Sequence, residues 1–262
     1  WNNLDGQDGG NDYYRGECRY ERTLPEIRRG ETDRLYLDVP AAGLNAEVLL
    51  DGVCVKRHEG GFTRFRADIS QARRGSKLTI RVDNAERAHV YPQFADFTFC
   101  GGLYRGAGLL IVPQSRISVS DFGGPGVKIT PKLDERRERA AVTADVQVTN
   151  PKSGQQVRVE LLAADGTIAA QAADNAAEAV CLTLTLDKPR LWDGVDDPYL
   201  YTARVSLLED GAVVDALEIP FGVRDFTVDP EKGFLLNGRP YPLRGVSRHQ
   251  DRQDKGWAIS RA

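Results

Sequence analysis

The punctuation of this chain limits its fold more than any other feature. Short apolar runs of four to eight residues are cut, again and again, by turn-forming pairs. Arg19–Leu24, Arg34–Val39, Ala46–Leu50, Val53–Arg57, Phe62–Ile69 and Lys77–Val82 read as strands, with Asp51-Gly52 as a tight hairpin turn. Leu109–Pro113 and Arg116–Val119 complete a first all-β unit that ends near residue 120. Gly123–Gly126 reads Gly-Gly-Pro-Gly and breaks the pattern. Beyond it Val142–Thr149, Gln156–Ala163, Val180–Leu186, Tyr199–Leu208 and Val213–Ile219 follow, with Asn150-Pro151, Asp165-Gly166 and Asp210-Gly211 as turns. Strands spaced by about 8–12 residues, with almost no 3.6-residue periodicity, predict stacked antiparallel sheets and argue against βαβ units.

Length and charge bound the rest. A chain of 262 residues suits domains of about 100–150 residues, each able to bury its own core. The net charge of −3 is near neutral and the cations are scattered, so neither nucleic acid nor an anionic membrane is an expected partner. No apolar run approaches the roughly 18 residues that cross a bilayer. Cys18, Cys54, Cys100 and Cys181 lie far apart without a C-x-x-C pair, which reads as buried free thiols and not as a zinc site. His58 and His89 lack metal spacing and read as surface or turn histidines. Asp5, Asp8 and Asp12 form a loose acidic group of loop carboxylates, which read as solvated or metal-facing and not as catalytic. The Gly123–Gly126 stretch is no phosphate cradle, since no Lys-Ser/Thr follows it. The chain opens at Trp1 without Met, so the compartment stays open between cytoplasm and periplasm or secretion.

The tail carries the most specific motif. Leu235 and Leu236 lead into Asn237-Gly238, a second hairpin signal, and a further run ends in Arg244-Gly245-Val246-Ser247-Arg248-His249. This stretch resembles the hairpin and first barrel strand of family 2 glycoside hydrolases, the β-galactosidase and β-glucuronidase group, where the strand ends in R-G-V-N-R-H. Ser247 is the one departure. Leu191-Trp192-Asp193-Gly194 and Asp197-Pro198-Tyr199-Leu200-Tyr201 resemble the P-x-L-W…P-x-L-Y segment of that family's immunoglobulin-like domain. Tyr13–Arg22, His58–Phe65 and Asp96–Arg105 resemble three motifs of its sugar-binding jelly roll. The resemblance therefore implies a jelly-roll sandwich over 1–120, an immunoglobulin-like sandwich over 121–223, and over 224–262 the lead-in hairpin and first strand of an incomplete (β/α)₈ barrel.

The same resemblance assigns site residues. The acid/base and nucleophile of a retaining glycosidase are two carboxyl groups about 5–5.5 Å apart. In the family both are Glu on later barrel strands, so no carboxylate up to Ala262 takes either role and the chain alone is expected to be inactive. His249 is expected to donate to a sugar hydroxyl, Asp96 to accept from one, and Arg244 either to orient the pocket or to serve as an internal ion-pair partner. Trp1, Trp192 and Trp257 are candidates to stack on sugar, with Trp192 better read as core or interface. The implied activity is exo-hydrolysis of terminal β-galactosides by a homo-oligomeric parent. β-Glucuronidase, β-mannosidase and a stand-alone carbohydrate-binding module are the alternatives. No cofactor is required, and a bound Na⁺, Mg²⁺ or Ca²⁺ is compatible with the parent enzyme.

Overall fold

A computed structural model of the chain describes residues 15–85, 89–90, 101–248, 252, 256 and 258–260. Among them there is no helix, and the chain divides into two units. The second unit comprises Pro113–Ser118 and Pro125–Val246; the first holds the described residues up to Val112, Val119–Gly124 and those from Ser247 onward.

The first unit is a sandwich of jelly-roll type. Its strands are β1 (Glu17–Thr23), β2 (Arg34–Val39), β3 (Asn45–Leu50), β4 (Val53–Glu59), β5 (Phe65–Asp68), β6 (Lys77–Asp83) and β7 (Gly108–Val112). They form two antiparallel sheets in the orders β1-β6-β3-β4 and β5-β2-β7. Period-2 alternation builds the core: Ala46, Val48 and Leu50 of β3 point inward with Leu78, Ile80 and Val82 of β6. Leu35, Leu37 and Val39 of β2 complete it, each 2% exposed or less. Burying a side chain of this size contributes about 1.5–3 kcal/mol. Outward positions carry charge instead, as where Glu47 meets Arg57 at 2.9 Å and Arg81 at 3.3 Å across neighbouring strands. Val55 is an extra residue in β4, since the register to β3 slips between Val48 and Leu49.

The second unit has the strand plan of an immunoglobulin-like domain. It contains β8 (Arg116–Ile117), β9 (Val127–Leu133), β10 (Arg139–Thr149), β11 (Gln156–Leu162), β12 (Ile168–Asn175) and β13 (Ala179–Asp187). A small hairpin, β14 (Trp192–Asp193) and β15 (Asp197–Pro198), precedes β16 (Tyr201–Glu209) and β17 (Ala212–Phe221). One sheet pairs β10 with β13 on one edge and with β9 and β8 on the other; the second runs β12-β11-β16-β17. The chain switches sheets after β10, β12 and β13, which is a Greek-key path. Val142, Ala144 and Val146 of β10 and Leu182, Leu184 and Leu186 of β13 share one core with Val157, Val159, Val205 and Leu207. A three-stranded antiparallel sheet closes the unit: β18 (Phe226–Asp229), β19 (Gly233–Leu236) and β20 (Arg239–Pro240).

One expectation needs correction here. Cys54 and Cys181 are exposed and Cys18 is half-buried, so these thiols are not core residues; Cys100 lies outside the described residues. Cys54 lies on the sheet-edge strand β4, and Cys181 occupies an outward position of β13, where the alternation leaves it in water. His58 is a turn histidine, as one of its two readings expected. Its ring stacks on Phe65 at 4.4 Å, and Nε2 lies 3.2 Å from the Gly60 carbonyl and 3.1 Å from Thr63 Oγ1. Burial pushes its pKa below the ordinary histidine range.

Candidate functional site

Of the three residues expected to meet substrate, Asp96 and His249 lie outside the described residues. Arg244 is described and exposed, in a stretch from 242 to 248 that makes no strand pairing among the described residues. A parallel barrel strand is stable only between neighbours on both sides, and none pairs with it among the described residues. Among those residues, too, no three His, Cys, Asp or Glu side chains group closely enough to hold a metal ion.

What the structure does assemble is a joint in the second unit, between the Leu191–Gly194 segment and the β18–β20 hairpin. Its hub is Asn237, 9% exposed. Asn237 takes φ 50°, and Gly238 takes φ 77°, the left-handed pair that a two-residue hairpin turn requires. The Asn237 amide Nδ2 donates to the Trp192 carbonyl at 3.1 Å and to Asp193 Oδ1 at 3.2 Å. Its Oδ1 accepts from the Asp225 backbone N–H at 3.2 Å, and its own N–H donates to the Asp225 carbonyl at 3.0 Å. Arg137 grips the Asp225 carboxylate with two bonds of 3.1 Å, and Arg239 pairs with Asp193. Tyr241 completes the joint, its hydroxyl accepting from Val195 N–H at 3.3 Å. A Cβ on Gly194 would fall 2.3 Å from that oxygen, so this position has room for no side chain.

The L-W-D-G…D-P-Y-L-Y segment is thereby explained. Arg224 lies over the Trp192 ring at 4.6 Å, and Trp192 is a half-buried packing residue. Arg190 forks onto Asp197 with two bonds of 2.9 Å and covers the Tyr199 ring at 4.6 Å. That guanidinium holds the Asp197 carboxyl below its usual range. Tyr201 accepts from Arg190 N–H at 2.9 Å and stacks on Phe221.

In the first unit the His58–Phe65 motif is an internal clasp. Gly60 N–H donates to Leu44 O at 2.9 Å, and the buried Tyr104 hydroxyl donates to Gly61 O at 2.6 Å. Gly43 and Gly102 exchange backbone bonds of 3.1 and 3.3 Å. These bonds anchor the described residues just after the segment that carries Asp96.

With that geometry in place, the likeness to known proteins is specific. The pattern of glycosyl hydrolases family 2 matches residues 122–224, the second sandwich with its L-W-D-G segment. A β-glucuronidase of Bacteroides fragilis is 35% identical over 99% of this chain and 39% of its own length. The crystal structure of an FMN-binding β-glucuronidase from Faecalibacterium prausnitzii L2-6 matches with TM-score 0.91 at 38% identity, covering 99% of this chain and 40% of that one. The second sandwich carries the family 2 glycosyl hydrolase domain. A β-galactosidase of Bacteroides ovatus is 29% identical over 96% of the chain and 29% of its own length. The chain spans about two fifths of the length of the first two relatives. Reading the sequence alone, we expected Asn237 as a turn former in this family 2 hairpin but missed its role as a hub. The local signal is the same Asx-Gly pair as at Asp51-Gly52, and the partners Asp193, Asp225 and Arg137 come from distant sequence.

Proposed function

We propose that this chain is the supporting, non-catalytic part of a retaining family 2 exo-β-glycosidase that removes terminal β-glucuronides. The observation that carries this reading is the likeness over 99% of the chain to two proteins that are each named β-glucuronidase. Asp96, the residue that favours a galactoside, lies outside the described residues, and the Bacteroides ovatus β-galactosidase supports that substrate at lower identity. A galactoside is therefore the second reading. In either case His249, Asp96 and Arg244 remain proposed sugar contacts, and the jelly roll and immunoglobulin-like sandwich hold the pocket's walls in place.

Two measurements test this. The purified chain should release no nitrophenol from nitrophenyl β-glucuronide or β-galactoside, because acid/base and nucleophilic groups are both required. A chimera in which this chain replaces the matching segment of the Bacteroides fragilis β-glucuronidase should hydrolyse the glucuronide. Turnover by the chain alone, or a soluble chimera that cleaves the galactoside only, sinks the corresponding half of the proposal.

A further inference from the structure

Two loops of the first unit cross and are clamped together twice. One, 24–33, joins β1 to β2; the other, 69–76, joins β5 to β6. In the first clamp Leu24 N–H donates to Ser76 O at 2.8 Å, and Gly75 N–H donates to Leu24 O at 3.0 Å. In the second, Arg29 Nη2 donates to Ser70 O at 2.6 Å and to Ala72 O at 3.2 Å. Glu26, Ile27, Ala72, Arg73 and Arg74 lie between the clamps in sequence and line a cavity of about 370 Å³. That volume is at the lower end of small-molecule sites, roughly 300–1,000 Å³. The charges lining it do not neutralise one another. Glu26 comes from one loop and Arg73 and Arg74 from the other, yet none of the three forms an ion pair among the described residues. The Asp51 carboxylate, which acts on Arg73 only through its charge, bonds instead to Lys77 N–H at 2.7 Å and Ser76 Oγ at 2.9 Å. Arg29 adds a third guanidinium beside Ala72. Its Nη1 is buried and has no hydrogen-bond partner among the described residues, a costly state for a charged donor.

We propose that this cavity binds a hexuronate residue of a glycan, with the sugar carboxylate on Arg73 and Arg74 and a ring hydroxyl on Glu26. Opposite charges that line one cavity without meeting suit a ligand that carries both an anion and hydroxyl donors. A guanidinium fork matches a carboxylate with two parallel bonds, and the always-charged arginine is the side chain best fitted to that task. Glu26 is acceptor-only when ionised, so it takes hydroxyls and repels a second anion. Ile27 and Ala72 supply an apolar wall for the C–H face of the ring. A bare inorganic anion would use the arginines and leave Glu26 opposed to it. The site involves none of Asp96, His249 and Arg244. The choice of a uronate among acidic sugars rests on the reading of this protein as part of a β-glucuronidase; the pairing of an anion with hydroxyls does not.

An NMR titration of the isotope-labelled chain tests this. Sodium glucuronate should shift the amides of Glu26, Ile27, Arg73 and Arg74 saturably and leave those of β10 and β16 in place. Methyl β-glucoside lacks the carboxylate and inorganic sulfate lacks the hydroxyls, so each should bind at least about tenfold more weakly. The double variant Arg73→Gln, Arg74→Gln should weaken glucuronate binding by at least about tenfold, with the β3 and β6 amides unmoved as the check on folding. Glu26→Gln, on the other loop, should weaken glucuronate and leave the response to sulfate undiminished. No saturable response to glucuronate overturns the proposal. So does methyl β-glucoside, sulfate or the zwitterion glycine binding as tightly as glucuronate, or full glucuronate affinity in both variants. Turnover is read separately on the chimera described above: glucuronate binding without glucuronide hydrolysis defeats the functional reading and keeps the site, whereas hydrolysis without binding at these loops does the reverse.

Discussion

Two turns of this molecule are built from the same local recipe and do different work. Asp51-Gly52 joins β3 to β4, and Asn237-Gly238 joins β19 to β20; both pairs take positive φ, at 49° and 84° in the first and 50° and 77° in the second. Around Gly52 there is open space within 4 Å, and the Asp51 carboxylate accepts from Lys77 N–H and Ser76 Oγ–H at an exposed rim. Around Gly238 the Arg137 guanidinium is so close that a Cβ would lie 2.6 Å from Nη2, and Asn237 is buried among partners from two other loops. Turn chemistry thus decides where the chain reverses. Tertiary neighbours decide whether the reversal also locks one element onto another.

Mutations can break that contrast. The largest effect is expected for Asn237→Ala, which takes the side-chain partner from the Trp192 carbonyl and the Asp225 N–H and forces Ala into a left-handed backbone. Unsatisfied partners and strain together should lower the opening free energy of the hairpin by about 2–4 kcal/mol. Exchange of β18–β20 amides measures this; an effect no larger than that of Asp51→Ala would erase the distinction between the two turns. Next comes the pair Gly238→Ala and Gly52→Ala. Both pay for positive φ, roughly 1 kcal/mol, but Gly238→Ala must also displace Arg137 from Asp225 and should cost visibly more in thermal or denaturant unfolding. Equal costs would mean that Arg137 yields freely.

Asp51→Asn should have the smallest effect, and a pH-dependent one. The bonds from Lys77 N–H and then Ser76 hold its carboxyl below the usual range, so the folded-state pKa is depressed. Its contribution is present above the ordinary carboxylate pKa and is lost as pH falls through the folded value. Wild type and variant should therefore differ at neutral pH and converge in acid. A difference that persists at low pH would assign the effect to packing.

Much of the fold was legible because alternation and turn pairs are local. β2 was bounded to the residue, and the Asx-Gly turns fell where expected. Several strands escaped, β9, β12 and β18 among them. β12 reads Ile-Ala-Ala-Gln-Ala-Ala-Asp-Asn, with little β-branched content, and forms because it pairs with β11 through the Asp165-Gly166 turn. β9 contains Pro131, which an edge strand tolerates. Phe62–Arg64 was read as strand, but its residues form the turn around which His58 and Tyr104 close, a contact between distant parts of the chain. The Asn237 hub was hidden for the same reason, since none of Asp193, Asp225 and Arg137 announces its partner from sequence.

The extra residue in β4 has a consequence for life at high concentration. β4 closes one side of its sheet and exposes Val53 at 67% and Val55 at 36%, with no further strand beyond it among the described residues. Such a border invites another chain to add itself, strand upon strand, and so to seed fibres. The Val55 insertion throws the ladder out of step midway, and Lys56 and Arg57 follow it with two positive charges. An incoming copy meets a kinked template and the positive charges of Lys56 and Arg57, so this border is poorly suited to template a growing fibril.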